Sequence, residues 1–390
     1  MSYWSPEKQE EVIVISTNRS TPRWLQITAK ILVGLLVLLL LGAGIVAWRY
    51  HTVQQRLKKD LTSIIQEEEH LRSLGGVNAV ADIIAPDAPN SWRFRYLSSV
   101  QAREGRSEPQ IQVAKVNFDG RDARVALLVD DELQYRHYHL YGGKYWRRAP
   151  FVANGWGKRR VITAENGTEI IYWDEDEASA QEISAKLPQL EQWMSSRGVM
   201  LQPGKLMFIP QEFGDLVHPA ALVDGWNINS VHVDWIEEPQ PGLTRQQILQ
   251  VELGRSLVAQ ARSKTPPPSQ LAGAIRGQRA IDEVLLWQWT AGQVPETEIM
   301  AWTKMLKGHW VSPRHGLPPE LIAQLPTNAP DIAARLLMTW VLQNYDLDTL
   351  LALDAALNDA NSWDEAYQQV LGLSAAQVED NVQQWLQLRK

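Results

Sequence analysis

The sequence predicts an α+β protein carried on an N-terminal transmembrane helix, with a helical C-terminal half. Three observations predict it. Ile31 to Ala47 is a run of apolar residues and glycine near the N-terminus. From Trp92 to Arg148 apolar and polar residues alternate with a period of two, as on half-buried strands. From Thr244 onwards the apolar spacing is three and four, the period of helices.

The chain has 390 residues, room for roughly two or three domains of about 100–200 residues each. A hydrophobic share of 45% supports a sizeable core. The net charge of −7 argues against nucleic acid as a partner. There is no cysteine, which excludes disulfides and thiol chemistry. The 17 tryptophans suit core packing and extended interfaces.

Taken in order, residues 1–30 are polar and read as a cytoplasmic tail. The apolar run, bracketed by Trp24 and Trp48, is at the lower end of membrane-spanning length, and tryptophans suit both interfaces. Residues 31–50 are therefore expected to form a single membrane span. A cleaved signal peptide is the alternative; it would need an unusually long leading region and lacks a clear A-x-A site. Lys8, Arg19, Arg23 and Lys30 before the span balance Arg49, Arg56, Lys58 and Lys59 after it. Charge therefore leaves the orientation open. The N-terminus is placed inside because the long C-terminal portion is expected to be translocated as a folded domain, outside the cytoplasmic membrane.

His51 to Ser73 reads as a helix, with Val53, Leu57, Leu61, Ile64, Ile65 and Leu71 at helical spacing and Gly75-Gly76 as its stop. Strands are expected in RFRYLSSVQ, PQIQVAKVNF, ARVALLV, LQYRHYHLY and KYWRRAP, with turns at Phe118-Asp119-Gly120 and Tyr141-Gly142-Gly143. A helix followed by this meander, ending GGKYWRRAPFVANGWG, resembles the NTF2-like domains over residues 51–157. His137 and His139 share one strand face. They could be two metal ligands, but the favoured reading is a polar sheet face, because the sequence places no third ligand.

A second module is expected over residues 158–390. Thr168–Trp173 and Lys205–Pro210 read as strands, Glu177–Arg197 as an amphipathic helix stopped by Gly198, and Ser230–Trp235 as an alternating strand. The carboxylate runs Asp174–Glu177 and Glu237-Glu238 read as solvated faces or helix N-terminal charge. Thr244 is an expected N-cap with Gln247 as its capping-box partner, opening a helix whose apolar residues spread all round to Ala261. Ser263–Pro268 reads as a loop, and Leu271 to the end as nearly all helical.

Within the Thr244–Ala261 helix stands Val251-Glu252-Leu253-Gly254-Arg255. It has the frame of H-E-x-x-H, in which two histidines one turn apart bind zinc and the Glu between them serves as general base. Only the Glu is present. With Ala334–Tyr345 (ARLLMTWVLQNY) and Asn361–Trp385 (NSWDEAYQQVLGLSAAQVEDNVQQW), the second module resembles the peptidase MA-like gluzincins, a family of zinc metallopeptidases. The resemblance implies a small β-sheet, a helical C-terminal half, and zinc held by the two histidines and by the Glu of W-L-x-E-G on the next helix.

This chain departs from the family at the metal. Val251 cannot ligate, and Arg255 repels a dication. The W-L-x-E-G segment aligns with Leu286–Gly292, which puts Trp289 or Thr290 at the third ligand position beside Trp287. No cofactor is expected; zinc is read as lost, and Glu252 as vestigial. Glu252 and Arg255 are placed to pair across one turn. The vacated cleft is then filled by that pair, or binds an acidic peptide end or other anionic group through Arg255. The function expected is a bacterial, membrane-anchored, catalytically inactive metallopeptidase-like protein binding a protein, peptide or envelope component. The alternatives are an active membrane-bound hydrolase with a relocated site, Glu252 acting with His232 or Glu283, and a structural anchor whose cleft binds nothing. No phosphate-binding or serine-hydrolase signature is present.

Overall fold

In the computed structural model, residues 23–105, 107–151, 155–220, 225–236, 242–264 and 274–389 are described. The tail ahead of residue 23, the Glu237-Glu238 run and Thr265–Pro268 of the expected Ser263–Pro268 loop lie outside them, as does the side chain of Trp24; Ser263 and Lys264, expected in that loop, instead continue the preceding helix. The chain divides into two units, Met1–Thr62 and Ser63–Lys390.

The first unit is dominated by α1 (Arg23–Ser73), whose 51 residues continue into the second unit. The sequence suggests two helices, split where the apolar run ends. The structure has one, because no glycine or proline lies between Trp48 and Ser73 to break the hydrogen-bond ladder. The change from apolar to amphipathic alters only what the helix faces. Residues Lys30–Ser73 include a window long and apolar enough to cross a membrane, none of it buried within the protein. This is the signature of a membrane anchor or of a signal sequence. Gly75, with φ +66°, ends the helix as expected.

Two sheets occupy the second unit. Short α2 (Val77–Ala81) and α3 (Asn90–Arg103) precede the first. α3 corrects an expected strand: Trp92, Tyr96, Val100 and Arg103 are buried at helical spacing, and Pro89 stands at its N-cap. Then β1 (Ile111–Asp119), β2 (Asp122–Val129), β3 (Glu132–Tyr141) and β4 (Tyr145–Ala149) form the expected antiparallel meander in the order β1-β2-β3-β4. Gly120, Gly142 and Gly143 take positive φ at its turns.

The second sheet comprises β5 (Arg159–Thr163), β6 (Glu169–Trp173), β7 (Lys205–Ile209), β8 (Val217–Pro219) and β9 (Gly225–Asn229), in the order β5-β6-β7-β9-β8. β6, β7 and β9 run parallel, while β5 and β8 are antiparallel edges. The strand expected at Ser230–Trp235 is instead a turn after β9. There the Ser230 hydroxyl donates to Asp176, and Asp234 turns inward to meet arginines from elsewhere. Side-chain bonds thus replace a ladder. Asp176 corrects the solvated reading of its run: it is fully buried, also accepts from Trp156 Nε1 at 2.6 Å, and burial raises its pKa.

Helices α4 (Glu177–Ser196) and α5 (Arg245–Lys264) pack on this sheet, with Leu187, Leu249 and Leu253 in a shared core. The rest is helical: α6 (Ala274–Ala291), α7 (Glu296–Met305), α8 (Ala329–Asn344), α9 (Leu347–Asp359), α10 (Trp363–Leu371) and α11 (Ala375–Gln387). A tight turn joins the last two helices. Gly372 adopts the left-handed conformation, and Ser374 forms a capping box with Gln377.

Where α1, α3, the meander and the second sheet's loops meet, charges are buried, none more than 6% exposed. Glu69 bonds Arg72 (3.0 Å), Arg136 (2.7 Å) and Arg103 (2.7 Å). Asp234 bonds Arg136 (3.0 Å) and Arg148 (2.9 Å), and Arg148 also pairs with Glu212. Tyr96 and Tyr138 hydroxyls donate to Glu68 at 2.8 and 2.7 Å. Burial alone would raise the Glu69 carboxyl, but Arg136, Arg72 and Arg103 outweigh it and hold it at about 2. Asp234 is pulled the same way by Arg136, Arg72 and Arg148 against its burial. Such a set costs several kcal/mol per ion to desolvate and persists only fully paired.

Candidate functional site

Helix α5 starts as the sequence expects. Thr244 Oγ1 accepts from Gln247 N at 3.2 Å, and Gln247 Oε1 accepts from Thr244 N at 3.0 Å. The expectation of burial all round is corrected. Leu249 and Leu253 face the sheet core, and Val251, Val258 and Ala261 face the helical core. Ala259 and Gln260 are exposed, so a third face looks out of the protein. Two cores on either side of one helix account for apolar residues in most directions without full burial.

Gly254 sets how closely α6 approaches. A Cβ there would stand 2.3 Å from Leu286 Cδ2 and 3.4 Å from the Trp289 ring. Lacking one, α5 lies against α6, and the residue after it, Arg255, reaches across to Glu283. Arg255 Nε donates to Glu283 Oε2 at 2.9 Å, and its Nη2 donates to the other oxygen, a bidentate pair. Its Nη1 donates to Glu252 one turn back. The expected Glu252–Arg255 pair is therefore one half of a triad. Arg255 and Glu252 are about one-third exposed and Glu283 is nearly buried. Burial works against the Arg255 charge, but Glu283 and then Glu252 outweigh it and raise its pKa above the usual arginine value. Glu298 on α7 stands nearby. Burial raises its carboxyl, Arg255 and Arg335 oppose that, and Glu283 adds to it.

The other residues singled out in the sequence lie elsewhere. Val251 is buried in the helical core. Trp287 is fully buried. Trp289 Nε1 donates to Lys186 O at 2.8 Å, and Thr290 Oγ1 donates to Leu286 O at 3.0 Å. None of these four lines the cavity beside Arg255, which is walled by Arg255, Glu283, Asp282 and Leu286 among others. His232 bonds Leu133 O through Nδ1 at 2.9 Å, at the junction with the meander. His137 and His139 do share a face, and both approach Asp122 Oδ1, at 3.2 and 2.8 Å.

Among the described residues no group of three or more His, Cys, Asp or Glu is placed to hold a metal ion. The donor set at the triad does not fit zinc either. It offers two carboxylates with a guanidinium between them, and a fixed positive charge there repels a dication.

What sequence reasoning passed over is a second cluster bordering the same cavity. Arg197 clamps Asp354 at 2.7 and 2.9 Å and pairs with Asp282, which also accepts from Arg262 at 3.1 Å. Its sequence signal is Asp282-Glu283, an acidic pair inside the otherwise apolar stretch Ala280–Trp287.

No family model and no curated protein matches the sequence. Among solved structures, the chain is similar to a point mutant of an M1 zinc metallopeptidase from Deinococcus radiodurans, at 12% identity and a TM-score of 0.31, with 70% of this chain covered. It spans 61% of that chain's length.

Proposed function

We propose that this is a membrane-anchored, catalytically inactive metallopeptidase-like protein that binds a protein, peptide or envelope component outside the cytoplasmic membrane. In this reading residues 31–50 span the membrane with the N-terminus inside. Residues 51–157 form an NTF2-like module, and 158–390 a degenerate gluzincin module. The single observation that carries the inactive reading is the Arg255 guanidinium, held between Glu252 and Glu283 at the position of the motif's second histidine.

The triad revises the motif's register. Glu283, in Ala280-Ile281-Asp282-Glu283-Val284, meets Arg255, whereas Trp289 and Thr290 bond within the core. We infer that Glu283, not Trp289 or Thr290, stands where the family has its third ligand. Two ligand groups are then replaced, and the third is retained but now neutralises Arg255. Zinc-dependent hydrolysis relies on metal to bring the pKa of water down to about 7 and to polarise the carbonyl. Glu252 here is engaged as an ion-pair partner, so no hydrolytic step is assigned to it.

The test is peptide hydrolysis by the full-length protein, solubilised in detergent, with zinc supplied and with Glu252→Gln as control. The expected result is no turnover that depends on Glu252. Hydrolysis abolished by Glu252→Gln overturns the inactive reading and favours a relocated hydrolase site.

A further inference from the structure

Beside the triad lies a cavity of about 620 Å³, within the size range of small-ligand sites, roughly 300–1,000 Å³. Four arginines line it: Arg255, Arg262, Arg279 and Arg335. Two are committed, Arg255 to the triad and Arg262 to Asp282. The other two are not. Among the described residues neither Arg279 nor Arg335 has a carboxylate within ion-pair distance. Arg335 instead lies over the Trp302 ring, 5.7 Å from its centroid, and Glu298 is close enough to feel its charge without pairing.

Two uncommitted guanidinium groups facing one cavity form a seat for an anionic group. Arg279 is exposed and Arg335 half-buried, and on a chain of net charge −7 their convergence makes the local charge a departure from the general surface. The rest of the wall narrows the ligand. Asp282 and Glu283 also line the cavity, so an anion that carries N–H donors finds acceptors there that a phosphate dianion, with no donor, does not use. These two and Gln278 offer acceptors for N–H donors. Val258, Ala259 and Leu286 supply an apolar wall. One negative charge, N–H groups and an apolar side chain together describe a peptide's C-terminal residue.

We propose that this cavity binds the free C-terminal end of a peptide, its carboxylate between Arg279 and Arg335 and its last side chain against Val258 and Leu286. This deepens the proposed binding role by naming the ligand class. It also stands apart from the inactive reading, since the two arginines belong to no part of the metal seat.

The test uses the full chain in detergent, immobilised. It is offered acetylated tetrapeptides of randomised sequence, half with a free C-terminal carboxylate and half amidated, and retention is read by mass spectrometry. Free acids are expected to be retained over amides by about tenfold or more, the scale of one or two charged hydrogen bonds. Arg279→Gln/Arg335→Gln is expected to bring the two to parity. Arg279→Lys/Arg335→Lys keeps the charge and should retain part of the preference, which separates loss of the seat from loss of the fold. Equal retention of acids and amides by the wild-type chain, retention of neither, or an unchanged preference in the glutamine variant overturns the proposal. So does displacement of the acids by inorganic phosphate at lower concentration than by acetate, which assigns the seat to phosphate. Glu252-dependent hydrolysis with the acid preference intact would instead overturn the inactive reading alone.

Discussion

Two charged clusters in the Ser63–Lys390 unit are built from the same residue types and differ in one property, access to water. The Glu68–Glu69–Arg72–Arg136–Arg148–Asp234 network is fully buried. The Glu252–Arg255–Glu283 triad is partly open, and only Glu283 is nearly covered. In the first, each ion has lost its hydration and each partner is indispensable. In the second, water shares the work, so the pairing is weak as a source of stability and strong as an occupant. The guanidinium decides what else can enter the site more than it decides whether the chain folds.

That contrast is broken or sharpened by substitution. The largest effect is expected at Arg136→Met, which removes the partner common to Glu69 and Asp234 and leaves both carboxylates buried. A loss of about 3–5 kcal/mol should appear as a large drop in urea midpoint or as failure to fold. A near-wild-type midpoint would mean that the buried network is not what holds the meander to the second sheet.

Acid should find the network next. Glu69 is held at about 2, below its ordinary 4.5. The stability it contributes is complete above the unfolded value and is lost as pH falls towards 2. Asp234 acts with the same sign. Glu212, raised by burial, acts oppositely and returns some stability on acidification. With Glu69 and Asp234 together outweighing Glu212, the urea midpoint should fall between pH 4.5 and about 2. In Arg136→Met, if it folds, this dependence should shrink. A flat profile in the wild-type chain contradicts the account of the network.

Smaller still is Arg255→Ala. An ion pair one-third exposed is discounted for solvent screening, and about 1 kcal/mol or less is expected, read as a midpoint shift near the limit of measurement. A loss as large as that of Arg136→Met would place the triad with the structural network.

The same contrast explains how much was legible in the sequence. The apolar run, the meander and the Thr244–Gln247 capping box were readable because each is set by local spacing or by a cap. α3 was misread as a strand because RFRYLSSVQ satisfies a period of two, while burial of Trp92, Tyr96 and Val100 follows a helical period set by tertiary packing. The Ser230–Trp235 turn was hidden for a related reason. Its alternation is real, but Asp234 is drawn inward by arginines about 86 to 162 positions earlier in the chain, and nothing local announces them. At the candidate site, Glu252 and Arg255 were legible from the motif frame. Glu283 was not, because the tryptophans and glycine of Leu286–Gly292 carry the resemblance and Glu283 lies outside that segment. The close approach at Gly254 is what brings Glu283, and not those residues, to Arg255.

The claim that Arg255 has taken the metal's seat is tested most directly by zinc titration, comparing the wild-type chain with Arg255→His. The account predicts no stoichiometric uptake by the wild type. It predicts zinc uptake in the variant, where an imidazole replaces the guanidinium between Glu252 and Glu283, and loss of that zinc when Glu283→Gln is added. Tight, stoichiometric zinc on the wild-type chain, weakened by Glu252→Gln or Glu283→Gln, would contradict it.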